Sequence, residues 1–326
     1  MRLTDANPRR PHMDLVVLDP DCLGRRRQHL ARLHVLAGEA ALVEERDGLT
    51  SAGVMMGCVL YKGCLSHIVA SLQRFWLLHP LFLPANVVSP GRGGTNLDPA
   101  KLAGSNVHFI YNWETWCPAK TTNLNWIGMQ ATKDSASSPI GQLQTRAAQQ
   151  GWNTVFSLNE PDINGISAGD AANWYIQNIN PLAIKKAIPA VTSSQNAGQG
   201  LDWAAAFISA CAGRCCFDYV NIHWYGSTFA QFQSHVQNAH SWFPNYQLVV
   251  SEFALIAPAS RDQQVAFLKS AMSFLDGAAY VTYYSVFGAS SPSLISQNTG
   301  GGQVGTGSSL FNDDGSLTAN GIAYRG

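Results

Sequence analysis

Thr154-Val-Phe-Ser-Leu-Asn-Glu-Pro161 reads as one buried strand that ends in a carboxylate and a proline. Its start is almost wholly apolar, the pattern of a strand covered on both faces. Proline cannot continue a ladder, so the strand stops with Asn159 and Glu160 at its C-terminal end. Gln247-Leu-Val-Val-Ser-Glu-Phe253 repeats the design and ends on Glu252. Either glutamate alone would be an ordinary solvated strand end. Two of them closing two such strands are a different matter.

Outward from these stretches the chain alternates short apolar runs with longer helical ones. The other strand candidates span residues 107–114, 126–130, 187–194, 219–226 and 279–287. Helical candidates fall at 140–150, 168–179, 201–211, 229–242 and 261–275. Alternation of this kind implies parallel pairing through right-handed crossovers. The fold expected is α/β, a (β/α)8 TIM barrel. Seven strands can be counted, so an eighth must come before Val107, and the first strand is expected to be incomplete or substituted. Polar residues gather at the C-terminal strand ends, where barrel enzymes build their sites. They are Asn112 and Glu114, Asn159 and Glu160, His223 and Tyr225, Glu252, and Tyr284.

Composition narrows the partner. The chain of 326 residues is 46% apolar and 13% charged, which fits a folded protein. Lys plus Arg equals Asp plus Glu at 21 each, so no general attraction to nucleic acid or anionic lipid is expected. Nine Trp and ten Tyr favour an uncharged partner with flat faces, such as a polysaccharide. The stretch 53–88 is interrupted by Lys62, His67, Arg74 and His79, so a membrane span is rejected there. Residues 1–100 hold 11 of the 21 basic residues and five of the nine His, a break in composition from the remainder of the chain.

Glycoside hydrolysis needs two carboxyl groups across the scissile bond. Glu160 and Glu252 lie three strand-to-strand steps apart and can face each other across the mouth of a barrel. Tyr219-Val-Asn-Ile-His-Trp-Tyr-Gly226 alternates, with Asn221, His223 and Tyr225 on one face and Val220, Ile222 and Trp224 on the other. The first set is expected to line the interior, with His223 and Tyr225 orienting Glu252. Asn159 is placed to contact the sugar hydroxyl beside the reacting carbon. Trp113, Trp116 and Trp126 are sugar platforms or core in equal measure. Gly165-Ile-Ser-Ala-Gly169 matches an esterase pattern, but its serine does not follow a strand directly. Ser167, three residues before Asp170, is read as a helix cap. Cys211 and Cys215 can form a local disulfide in an exported protein. The run 300–307 is read as a Gly-rich surface loop.

At these residues the sequence resembles glycoside hydrolase family 128. The stretches concerned are Ile110-Tyr-Asn-Trp-Glu-Thr115, Phe156-Ser-Leu-Asn-Glu-Pro-Asp162, Pro189-Ala-Val-Thr192, Phe217-Asp-Tyr-Val-Asn-Ile-His-Trp-Tyr225, Val250-Ser-Glu-Phe253 and Tyr283-Tyr284. The resemblance covers about residue 96 to the end. It implies a retaining endo-β-1,3-glucanase with Glu160 as acid/base and Glu252 as nucleophile. It implies substrate contacts from Asn159, Trp113, Glu114, His223, Trp224, Tyr225 and Tyr284. No metal or cofactor is expected, and a monomer secreted to act on fungal cell-wall β-glucan is. The alternatives are a related barrel glycosidase acting on another β-glycan, and an inactive glucan-binding wall protein. Members of the family open with a signal peptide and a basic-Gly-Leu strand. Here only Arg92-Gly93-Gly94 hints at that strand, and residues 1–88 are expected to be an atypical region or a gene-model artefact preceding a catalytic domain at 89–326. The run 81–89 is the candidate to replace the strand. A retaining pair predicts carboxyl groups about 5 Å apart. Acid duty predicts a raised pKa for Glu160, with Glu252 ionised.

Overall fold

The computed structural model describes residues 85–88 (backbone only), 99–102, 107–117, 124–298 and 301–326. Apart from residues 85–88, the atypical region and the Arg92-Gly93-Gly94 hint lie outside the described residues. All described residues belong to one compact unit.

The strands are β1 (Ala85–Val88), β2 (Val107–Tyr111), β3 (Asn125–Trp126), β4 (Gly128–Met129), β5 (Thr154–Phe156), β6 (Lys185–Lys186), β7 (Tyr219–Gly226), β8 (Gln247–Leu255) and β9 (Val281–Val286). The first helices are α1 (Leu143–Gln149), α2 (Ala168–Asn178), α3 (Gly200–Cys211), α4 (Phe229–Trp242) and α5 (Arg261–Gly277). Three short ones come after them, α6 (Pro292–Ile295), α7 (Gly301–Val304) and α8 (Ala319–Arg325).

Every strand pair is parallel. One sheet has the order β3-β2-β1-β9-β8-β7, and the other β4-β5-β6. The two sheets meet twice. Only Ile127 separates β3 from β4, and its amide donates to Ile110 O of β2. Beyond β6, single bridges join Ala187 to Tyr219 and Val191 to Ile222 of β7. The run 81–89 does supply a strand: Ala85–Val88 lies between β2 and β9, with Val87 opposite both Ile110 and Val286.

The helices begin where the sequence caps them. Ser167 accepts from the Asp170 amide at the start of α2, which settles the Gly-x-Ser-x-Gly stretch as a cap. Thr228 with Gln231 and Ser260 with Gln263 form capping boxes on α4 and α5. The large core lies between strands and helices, and includes Phe207, Trp224, Phe232, Phe253 and Phe267. A second cluster sits on the other side of the strands: Phe109, Tyr111, Met129, Phe156, Tyr219 and Val249. Cys211 and Cys215 are joined as a disulfide at the end of α3.

The Gly-rich run 300–307 is not simply a surface loop. Gly301 and Val304 of α7 are buried. A Cβ on Gly301 would stand 1.9 Å from Ile295 O, so only glycine allows this approach. Val304 packs with Ala254 and Phe287.

Candidate active site

The segment leading out of β5 ends in an unusual conformation. Glu160 has φ +46°, in the left-handed region that costs a side-chain-bearing residue energy. The surroundings hold it there. Its amide donates to Ala190 O, and its carbonyl accepts from Ile163 and Asn164. Asp162 ties the same loop down by accepting from Thr192 N, Thr192 Oγ1 and Gly200 N. The Glu160 side chain is thereby turned toward β7.

Glu252 arrives from β8 and is 4% exposed. Trp113 Nε1 donates to its Oε1 at 2.7 Å, and Tyr225 Oη donates to its Oε2 at 2.6 Å. His223 stands between the two carboxylates. Its Nδ1 is 2.8 Å from Glu160 Oε1 and 3.4 Å from Glu252 Oε2. One oxygen of each glutamate and a nitrogen of His223 all lie within 4.8 Å of one another. This is the one cluster of acids and imidazole with such spacing among the described residues. Within the cluster, His223 Nδ1 is bonded to Glu160 Oε1, and Glu252 Oε2 accepts from Tyr225 Oη.

Electrostatics run opposite to the expectation for Glu160. Burial pushes its carboxyl up, but the hydrogen bond and charge of His223 outweigh that, and the net direction is down. Burial raises Glu252; the charge of Glu160 adds to this, while His223, Tyr225 and Trp113 pull it down, and the net direction is up. His223 is lowered by burial but raised by Glu252, by its bond to Glu160 and by their charges, and ends raised. These directions favour a proton on His223 over one on Glu160.

The structure brings together Glu160, Glu252, His223, Tyr225 and Trp113. Asn159 adjoins Glu160, and its buried Oδ1 has no partner. Three other candidates lie elsewhere. The Glu114 carboxylate accepts from Ser137 and Ser138 and so organises their loop. Trp224 occupies the opposite face of β7, packed on Phe232 and Phe267. Tyr284 is 1% exposed and donates to Asp276. Trp126 is 6% exposed, whereas Trp116 is 53% exposed with Arg146 beneath its ring.

Sequence reading missed Ser251, Tyr111, Phe287 and Val304. Phe287 and Val304 form an apolar wall on which Trp113 and Tyr225 lean. Residues late in the last strand would have pointed to Phe287; nothing in the glycine run pointed to Val304.

Residues 90–324 match the family model described as glycosyl hydrolase catalytic core. A GH128 subgroup IV endo-β-1,3-glucanase from Lentinula edodes is 52% identical, with TM-score 0.71 over 74% of this chain and 98% of that one. A curdlan-specific exo-β-1,3-glucanase of GH128 subgroup III from Blastomyces gilchristii, solved with glucose, is 25% identical. It aligns with TM-score 0.61 over 74% of this chain and 97% of its own. Alkali-sensitive linkage protein 1 of Schizosaccharomyces pombe is 30% identical over 243 residues, 71% of this chain. This chain spans 42% of that relative's length. The matched residues contain both glutamates and all of their hydrogen-bonding partners, and the chain belongs to glycoside hydrolase family 128, within the glycosyl hydrolase catalytic core.

Proposed function

We propose that this chain hydrolyses β-1,3-glucan with retention of anomeric configuration, Glu160 serving as acid/base and Glu252 as nucleophile. The observation behind this reading is the pair of carboxylates facing each other across His223, with oxygens within 4.8 Å. Retaining enzymes hold their carboxyl groups about 5–5.5 Å apart, while inverting ones leave about 6.5–9.5 Å for a water. We take the two sheets and the bridges between them as one (β/α)8 barrel. Its mouth would then lie at the C-terminal strand ends, where both glutamates stand.

In this reading Glu252 attacks the anomeric carbon while Glu160 protonates the leaving oxygen. Water then hydrolyses the glycosyl-enzyme, with Glu160 taking the proton. Tyr225 and Trp113 hold Glu252 in line and favour its ionised form. The unpartnered Oδ1 of Asn159 accepts a hydrogen bond from the sugar hydroxyl next to the reacting carbon. A bound glucan excludes water and disfavours the charged His223–Glu160 pair, so the proton moves to Glu160 as the sugar arrives. Trp113 and Trp116 offer flat faces to the chain of sugars. Action outside the cell on wall glucan fits the Cys211–Cys215 disulfide. No helix among the described residues is long and apolar enough to cross a membrane.

Release of reducing sugar from laminarin by the full-length chain tests the reading, with Glu160→Gln and Glu252→Gln beside it. Release that disappears in both variants is expected. Equal release from the variants, or products only from a β-1,4-glucan or mannan, would reject the assignment.

A further inference from the structure

Below His223 lies a short buried relay that the reaction scheme leaves unused. β8 carries a register shift against β7: Ile222 pairs with Val250, but His223 pairs with Glu252. Ser251 is thus the extra residue of a bulge, and bulges re-aim side chains near active sites. Regular alternation would turn Ser251 away from Glu252. Here its Oγ stands 3.0 Å from His223 Nε2, on the same imidazole that Glu252 approaches. The Ser251 carbonyl accepts from Tyr111 Oη at 2.7 Å. Ser251 Oγ donates to Asn221 Oδ1 at 2.7 Å, and all three side chains are fully buried.

With the Asn221 carbonyl turned to Ser251, counting hydrogens sets the direction of the relay. A serine has one hydroxyl proton, and Asn221 takes it. Ser251 can then only accept from the imidazole, so Nε2 must bear a hydrogen. The Asn221 Nδ2 group has no partner, which is costly for a buried donor. The fold tolerates this orphan in keeping the carbonyl turned to Ser251.

We propose that Asn221 and Ser251 are positioning residues that keep a hydrogen on His223 Nε2, leaving the Nδ1–Glu160 hydrogen bond to hold the single proton that Glu160 delivers. The proposal rests on Glu160 being the acid. The transfer balances: the proton leaves Nδ1 for Glu160 Oε1, His223 becomes neutral with its hydrogen on Nε2, and Glu160 becomes an uncharged acid. The other groups that bear on His223 are Asp162 beyond β5, Glu252 with Tyr225 behind it, Tyr111 through Ser251, and His235 of α4, which meets the His223 backbone. His235 is held neutral by burial, with its pKa lowered to about 4.

Nitrogen-15 NMR of histidine-labelled full-length chain tests this, with Ser251→Ala and Ser251→Thr alongside and His223→Asn to assign the signal. Once His223 is neutral, its hydrogen is expected on Nε2 in wild type and Ser251→Thr, and on Nδ1 in Ser251→Ala. On laminarin, Ser251→Ala should move the basic limb of kcat/KM down by about one pH unit. Its kcat should fall about tenfold, the effect of one buried hydrogen bond. Ser251→Thr should restore both. A wild-type Nε2 without hydrogen would mean that Asn221 donates and the relay runs the other way, which overturns the proposal. A purely structural role would lower the melting temperature of Ser251→Ala and leave tautomer and pH limb unmoved. If Ser251→Ala does not fold, the wild-type tautomer alone decides. A wild type inactive on laminarin would reject the glucanase reading, and the tautomer would still judge the relay.

Discussion

The two glutamates are held by unlike halves of the molecule. Glu252 belongs to β8, nine residues long, which pairs with the eight residues of β7 along their whole length. Glu160 comes after β5, three residues long, whose neighbours β4 and β6 have two residues each. Beyond those short strands the order comes from single bridges and from the Asp162 loop. Glu252 is fixed by two donors and is nearly inaccessible; Glu160 is held through His223, and its side chain is 19% exposed. A nucleophile must stay in line with one carbon, whereas an acid that becomes a base must serve a leaving oxygen and then a water. Under the proposed assignment the regular half suits the first task and the irregular half the second.

That contrast can be broken by substitution. Glu252→Gln should cost the most, about ten-thousandfold or more in kcat, the scale of losing a nucleophile. Glu160→Gln should cost about 10²–10⁴-fold on laminarin and far less on an aryl glucoside whose leaving group needs no proton. Equal losses on both substrates would contradict the division of labour.

Supports should behave like their glutamates. Trp113→Phe and Tyr225→Phe each remove one donor to Glu252 and should lower kcat about ten- to a hundredfold, with both substrates affected alike. Asp162→Ala frees the Glu160 loop and should cost about tenfold on laminarin, with little change on the aryl glucoside. An aryl glucoside rate that falls as far would place Asp162 in general folding instead.

The smallest effect is on stability. His223 has a raised pKa in the folded chain, so the folded state binds the proton more tightly than the unfolded one. Its contribution is full below the unfolded value of about 6.5 and is lost as pH rises through the raised folded value. Melting temperature should decline by a few degrees, about 2–4 °C per kcal/mol, across that window. The decline should be weaker in His223→Asn, and an equal decline there would assign it to another group.

The sequence made the facing pair of glutamates legible because it is written locally. Each glutamate closes an apolar run, and the alternation of β7 puts His223 and Tyr225 on one face. The resemblance implies a substrate contact for Trp224, but the structure places that ring on the opposite face of β7, packed on Phe232 and Phe267. Glu114 and Tyr284 were inferred from position at a strand end, which does not say whether a nearer partner will claim the side chain. Ser138 and Asp276 do so. The bulge at Ser251 leaves no mark in an apolar pattern, so its turn toward His223 could not be read. The lowered pKa of Glu160 depends on a contact 63 residues away in sequence, again beyond local reading. The first strand was legible only as a gap and a candidate to fill it; β1 fills it by pairing with β2 and β9.

The most direct test of the account is the anomeric configuration of the first product released from a laminari-oligosaccharide, monitored by proton NMR before mutarotation. Glu252 as nucleophile, facing Glu160 across His223, predicts β-configured product first. An α-configured first product would mean that water attacks directly, and it would contradict the role given to Glu252.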